Sequence, residues 1–327
     1  YLAIEKSVEL FHNIEDRSPK MATALLRLAN LEYRLDNFEA AAETAKEALE
    51  LNIEHYGETH AETASVMNTL AMSLEEIGEK DEAYSMYYRI IEIRRDQPEQ
   101  GSNLAVNLNN LAILLQEDGK LDEADALFSE AVDLIGEVLG TEHPFMAYIL
   151  NGYSGLHQDR GNFDQAENHL MQALEIGQAI FPETHPFIGV VQYNLGELFR
   201  IMENYTEAAD YYLLSLEQRK QSLPDNHPDI ANTLYSLGGV LIETDRPDLA
   251  EIYLLDAVRL RKEIYEPDDR RIALAEARLG KCLLYQRKMD EAEPLLLKSY
   301  TLLRELLGED DLITQEVLAD LDALRLR

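Results

Sequence analysis

The sequence predicts an all-α protein, a solenoid of seven helical hairpins in series, and three regularities predict it. The dipeptides His143-Pro144, His185-Pro186 and His227-Pro228 stand 42 residues apart, and the same ruler sets further anchors at Ser18, His60, Gly101, Asp269 and Asp311, the unit from His60 to Gly101 being one residue short. Counting 23 residues on from each anchor reaches Ala41, Ala83, Ala124, Ala166, Ala208, Ala250 and Ala292. Counting 11 reaches Ala29, Ala71, Ala112, Ser154, Gly196, Gly238 and Gly280, always small.

In chain order, residues 1–17 read as the second helix of a preceding, truncated repeat, carried by Leu2 to Ile14. That reading, with the start at Tyr1, leads us to expect a piece of a longer protein. Residues 18–310 form the seven repeats. Within each, the large apolar positions 7, 10 and 14 and the small position 11 share one stripe of a helix turning 100° per residue. Proline one place after the anchor suits the first turn of that helix, where its missing N–H would have no partner. A turn such as Asp118-Gly119-Lys120 or Arg160-Gly161-Asn162 follows, and then a second helix of the same period, as in Ala124, Phe128, Ala131 and Ile135. Small residues at positions 11 and 23 let the two helices approach closely. After Asp311 the stripe continues through Leu318, Leu321 and Leu324, but position 11 is Asp322, so residues 311–327 predict a capping helix.

A small residue, alanine 12 later and a small residue 7 later, as in Ala112, Ala124 and Ala131 or Gly238, Ala250 and Ala257, resembles the tetratricopeptide repeat. The 42-residue period and the phrase Leu108-Asn109-Asn110-Leu111-Ala112 resemble the kinesin-light-chain type of that repeat. The resemblance spans nearly the whole chain, so residues 1–327 are expected to form one solenoid, although the length alone would suggest two or three domains. It implies a right-handed superhelix whose first helices line a concave groove. It also implies a noncatalytic scaffold or adaptor for a peptide, a protein segment or another domain of the parent chain. A second reading is a regulatory domain that senses a small molecule or signalling peptide and controls a linked enzymatic module; a change of superhelical pitch on binding would distinguish it.

Composition narrows the partners. Against 62 acidic residues stand 29 basic ones, a formal charge of -33, which repels phosphate backbones and anionic lipid. Neither nucleic acid nor membrane is expected as a partner. The single cysteine, Cys282, excludes an internal disulfide and reads as a core thiol. No stretch approaches the roughly 20 apolar residues of a membrane helix, and a cytoplasmic location is expected.

Candidate chemistry dissolves residue by residue. His60, His143, His185 and His227 recur, but equivalent residues of stacked hairpins lie roughly 8 to 10 Å apart, whereas ligands of one zinc lie within about 2.1 Å of it. They read as the starts of helices. Ser154 in Gly152-Tyr153-Ser154-Gly155 lacks the glycine two places on, where Leu156 stands, that a nucleophile elbow needs. Asn204-Tyr205-Thr206 matches a glycosylation sequon and reads as a turn. No catalytic residue, metal site or cofactor is predicted.

What remains is surface. On the first helices, positions 5, 8, 12 and 15 lie about 100° from the packed stripe. Position 8 carries Asn68, Asn109 and Asn151 in register, then Tyr193 and Tyr235. Asparagine is a mediocre helix former whose amide both donates and accepts, which suits the backbone of an extended peptide. Bridging of neighbouring repeats is the other use of such a row, and both stay open. Around it stand Asn110 and Asn194 at position 9, Gln116, Gln158 and Arg200 at position 15, and Tyr148 and Asn232 at position 5, while Gly155 and Gly239 at position 12 would let a ligand come close. Charge is uneven: residues 51–250 hold 35 acidic and 10 basic side chains, residues 251–300 hold 10 of each. Arg270, Arg271, Arg278 and Lys281 there are either paired with neighbours or form a docking patch for an acidic or phosphorylated segment.

Overall fold

The computed structural model describes Lys6 and residues 17–325. It is all-α, with fifteen α-helices, one 3-10 turn at Pro98–Gln100 and no strand among the described residues. The chain divides into two compact units, residues 1–161 and 162–327. The first holds α1 (Pro19–Tyr33), α2 (Phe38–Tyr56), α3 (Ala61–Glu76), α4 (Lys80–Arg95), α5 (Gly101–Glu117), α6 (Leu121–Val138) and α7 (Pro144–Asp159). The second holds α8 (Phe163–Ile180), α9 (Pro186–Ile201), α10 (Tyr205–Ser222), α11 (Pro228–Glu243), α12 (Pro247–Ile264), α13 (Arg270–Tyr285), α14 (Met289–Leu307) and α15 (Leu312–Arg325). Of the expected half-repeat at residues 1–17, only Lys6, which is helical, and Arg17 are described; the rest of that expectation lies outside the described residues.

The anchors start helices, as their spacing predicted. The Nδ1 of His60 accepts the N–H of Glu62 at 3.1 Å, and His143, His185 and His227 cap α7, α9 and α11 in the same way. Asp269 Oδ1 does so for α13, from the Arg271 N–H at 2.7 Å. Each cap satisfies one of the N–H groups that a helix start leaves unpaired. Among the described residues no group of histidine, cysteine or carboxylates stands at metal-binding spacing.

Position 18 turns the chain between the two helices of a repeat. There Asp36, Gly78, Gly119, Gly161, Glu203, Asp245 and Arg287 all have positive φ, from 56° to 85°. Three of the seven are glycine, for which this left-handed conformation has no steric cost; the other four pay it.

The two small-residue columns close the hairpins. Every alanine of position 23 is 0% exposed. At position 11, a Cβ placed on Gly196 would come within 2.6 Å of the Tyr212 ring, and one on Gly280 within 2.6 Å of Leu296 Cγ. Tyr87 and Tyr212, both fully buried, satisfy their hydroxyls on carboxylates, Glu75 at 3.0 Å and Glu197 at 2.6 Å. Glu276, 2% exposed, is held by Lys262 at 2.7 Å and Lys298 at 2.9 Å, so one carboxylate ties α12, α13 and α14 together. At the end, α15 packs on α14 and α13 and buries Val317 and Leu321, while Asp322 is exposed. Among the described residues no helix is long and apolar enough to cross a membrane.

Candidate interaction face

In the first unit the asparagine row lies on α3, α5 and α7. Asn68 Oδ1 accepts from Asn107 Nδ2, and Asn107 Oδ1 in turn accepts from Arg94 Nη1. Arg94 Nη2 reaches Ser65 Oγ at 3.3 Å, so Asn68 belongs to a part-buried network spanning α3, α4 and α5. Asn109 differs. It is buried, its Nδ2 donates weakly to Asn110 Oδ1 at 3.4 Å, and among the described residues its Oδ1 has no hydrogen-bond partner. That oxygen lies 3.1 Å from where a Gly152 Cβ would stand. Asn151 and Gln158 are half-buried on α7, and Tyr148 is exposed.

Gln116 Nε2 donates to Asp159 at 2.7 Å, from α5 to α7. Its amide fills the space beside Gly155, 3.1 Å from where a Cβ would be. Gly239 is likewise filled, by the Arg278 guanidinium at 2.8 Å. The room these two glycines were expected to leave for a ligand is therefore taken by a side chain of a neighbouring repeat, which approaches because there is no Cβ to stop it.

In the second unit the row becomes aromatic and meets arginine. Tyr193 shares a hydrogen bond with Ser236 at 3.2 Å, and the Arg219 guanidinium lies 4.5 Å from its ring centre. Tyr235 is flanked by Arg261 at 4.2 Å and Arg278 at 3.7 Å. Such stacks suit arginine, whose planar, weakly hydrated cation tolerates burial better than an ammonium. Arg261 donates to the Arg271 carbonyl at 2.7 Å and to Asn232 Oδ1 at 3.2 Å; Arg219 donates to the Asp229 carbonyl at 2.9 Å and to Thr233 at 2.7 Å. Burial lowers the pKa of Arg219 and Arg261, and brings that of Arg94 down to about 10.

Beside them Arg200 pairs with Glu197 at 2.9 Å. Burial alone would raise the Glu197 pKa, but hydrogen bonds from Tyr212, Arg200 and Ser236, with the Arg200 charge, outweigh it and hold the carboxyl low. Asn194 is half-buried on the same helix.

Of the four cations expected as a patch, Arg271 is claimed by Asp269 at 2.7 Å and lies 3.5 Å from the Tyr265 ring centre. Arg270 is exposed at the start of α13. Arg278 and Lys281 line a depression of about 320 Å³ together with Tyr235, Glu316 and Asp320. Arg278 donates to the Tyr235 carbonyl at 3.2 Å. Cys282 is buried, its thiol donates to the Pro247 carbonyl at 3.2 Å, and burial pushes it up to about 11, an unreactive group at neutral pH.

The buried arginines are the part of the site that sequence reasoning missed. Arg94, Arg219 and Arg261 all stand at position 34, counted from His60, His185 and His227. The ruler that found the alanine column would have found this one.

Three segments, residues 5–96, 103–179 and 187–263, match the family model of the tetratricopeptide repeat. The chain belongs to the tetratricopeptide-repeat family. No curated protein sequence matches it. Among solved structures, a putative kinesin light chain of Podosopora anserina with nearly identical repeats matches at a TM-score of 0.56 and 18% identity, over 63% of this chain and 97% of that one. BtubC, or BKLC, from P. vanneervenii matches at 0.61 and 19%, over 69% and 91%. A chain of the APC/C hetero-tetramer Cut9–Hcn1 matches at 0.61 and 14%, over 94% of this chain and 52% of that one. At these identities the likeness is one of fold. It agrees with the kinesin-light-chain type of tetratricopeptide repeat that the 42-residue period suggested.

Proposed function

We propose that this tetratricopeptide-repeat chain is a noncatalytic scaffold that holds an extended peptide or protein segment along its first helices. Membership of a repeat family that serves protein–protein interaction supports the general reading. The observations that support the specific one are the exposed Tyr148 and the half-buried Asn110, Asn151 and Gln158, which bring an aromatic ring and three amides to the surface on the first helices α5 and α7. An amide both donates and accepts, which suits the N–H and C=O groups of an extended peptide.

On this reading Asn109, Asn110, Tyr148, Asn151 and Gln158 contact the peptide, while Asn68 and Gln116 hold neighbouring repeats in register. In the second unit Tyr193 and Tyr235, braced by Arg219 and Arg261, offer ring surface, and Asn194, Arg200 and Asn232 flank them. Arg278 and Lys281, with Arg270, would receive an acidic residue of the segment.

Panning a random peptide display library over the immobilised chain tests this. Selected peptides should compete with one another and lose binding when Asn109 and Asn151 are both alanine. Selection of none, or of peptides indifferent to that change, would overturn the reading.

A further inference from the structure

The second helices of the second unit carry a feature that the repeat fold does not require. Position 28 reads Met171 on α8, Leu213 on α10, Leu255 on α12 and Leu297 on α14, and all four are exposed. Leu214 and Ile252, the latter 58% exposed, widen the stripe. In the first unit the same column reads Lys46, Tyr88 and Ser129, so an apolar residue there is no condition of hairpin packing. Single exposed leucines are ordinary, but a contiguous row marks a surface meant to be covered.

Two observations link neighbouring helices of the row. Tyr211 on α10 places its hydroxyl 3.5 Å from Met171 Sδ on α8. Between α10 and α12 runs a trough of about 630 Å³, floored by Leu213, Leu214, Leu216 and Tyr253. Asp210, Glu217 and Lys220 complete its lining.

Charge decides what covers it. A second copy would bring a formal charge of -33 against one of -33. Among the described residues neither Asp210 nor Glu217 has an ion-pair partner, and Glu175 stands at the equivalent position of Glu217 one repeat earlier. A cationic partner gains from these carboxylates, where an acidic or neutral one does not. Shape adds the second constraint. α8, α10 and α12 each pack on first helices, the trough between α10 and α12 is left open, and a helix laid across the stripe can seat an apolar side chain in it.

We propose that this outer face docks a basic amphipathic helix of a partner protein, its apolar side seated on Met171, Leu213 and Leu255 and its lysines or arginines beside Asp210 and Glu217. It is a second interaction surface, on other helices than the asparagine row.

The test uses a synthetic peptide of roughly 20 residues, three turns or more of helix, with leucines on one face and lysines elsewhere, and a control of the same composition with the leucines dispersed. Fluorescence anisotropy should show the patterned peptide binding the full chain about tenfold or more tighter than the control. Leu213→Gln with Leu255→Gln should abolish that preference without moving the melting temperature, since both side chains are exposed. Asp210→Asn with Glu217→Gln should weaken binding and flatten its salt dependence. Asn109→Ala with Asn151→Ala should bind the patterned peptide as the parent does, which separates this face from the first-helix reading. Equal binding of both peptides would reduce the effect to charge attraction and overturn the proposal. So would sedimentation showing that the parent self-associates and that Leu213→Gln with Leu255→Gln dissociates it.

Discussion

Gly238 on α11 faces Leu254 on α12 so closely that a Cβ on the glycine would lie 2.5 Å from Leu254 Cγ. Both residues are fully enclosed, so neither can move aside without shifting a helix. Gly238→Ala should therefore overpack the hairpin and cost roughly 1 to 3 kcal/mol. Chemical denaturation beside Gly57→Ala, where nothing lies within 4 Å of the new Cβ and only positive φ opposes it, separates overpacking from backbone strain. A loss at Gly238 no greater than a surface substitution gives would contradict the packing described.

Arg287 turns the α13–α14 hairpin at a φ of 62°. The left-handed region costs a non-glycine residue roughly 1 to 2 kcal/mol, and glycine loses roughly 0.5 to 1 kcal/mol through its freer unfolded chain. Arg287→Gly should thus raise stability by up to about 1.5 kcal/mol. Thermal melting checks it, and a lower midpoint would show that the Arg287 side chain contributes more than its backbone costs.

The fold was legible because two columns govern it. An alanine at every position 23 and a small residue at every position 11 state where helices touch, and a histidine or aspartate at six of the eight anchors states where one starts. The turn was half legible: Gly78, Gly119 and Gly161 announce positive φ, whereas Asp36, Glu203, Asp245 and Arg287 adopt it against their preference. The candidate site was legible as a face but not in its wiring. Position 8 puts Asn68 and Asn109 on equivalent turns, yet Asn68 is engaged by Asn107 while Asn109 Oδ1 has no partner among the described residues. That difference comes from Asn107 and Arg94 at other positions of other helices, and no periodicity along one helix contains it.

Burial pushes the Glu75 carboxyl up to about 7, with Glu117 and Glu76 adding to it and the Tyr87 hydrogen bond opposing. Unfolded, the group releases its proton near 4.5. Between those values the native state binds more protons, so this contribution to stability is complete below about 4.5 and is lost as pH rises through about 7. Glu75→Gln keeps the hydrogen-bonding amide oxygen and removes the titration. Its melting temperature relative to the parent should climb across that window and level off above it. A difference independent of pH would sink this account of Glu75.

The account rests most heavily on the first-helix face as a binding surface, and Asn109→Ala with Asn151→Ala tests it most directly. The measurement is a titration of a display-selected peptide into the double variant, with the melting curve of the same sample recorded alongside. Each lost hydrogen bond is worth about 0.5 to 1.5 kcal/mol, so the pair should raise the dissociation constant roughly 5- to 100-fold while melting stays near that of the parent. Unchanged affinity in a stable variant, or affinity lost only in step with a falling melting temperature, would contradict it.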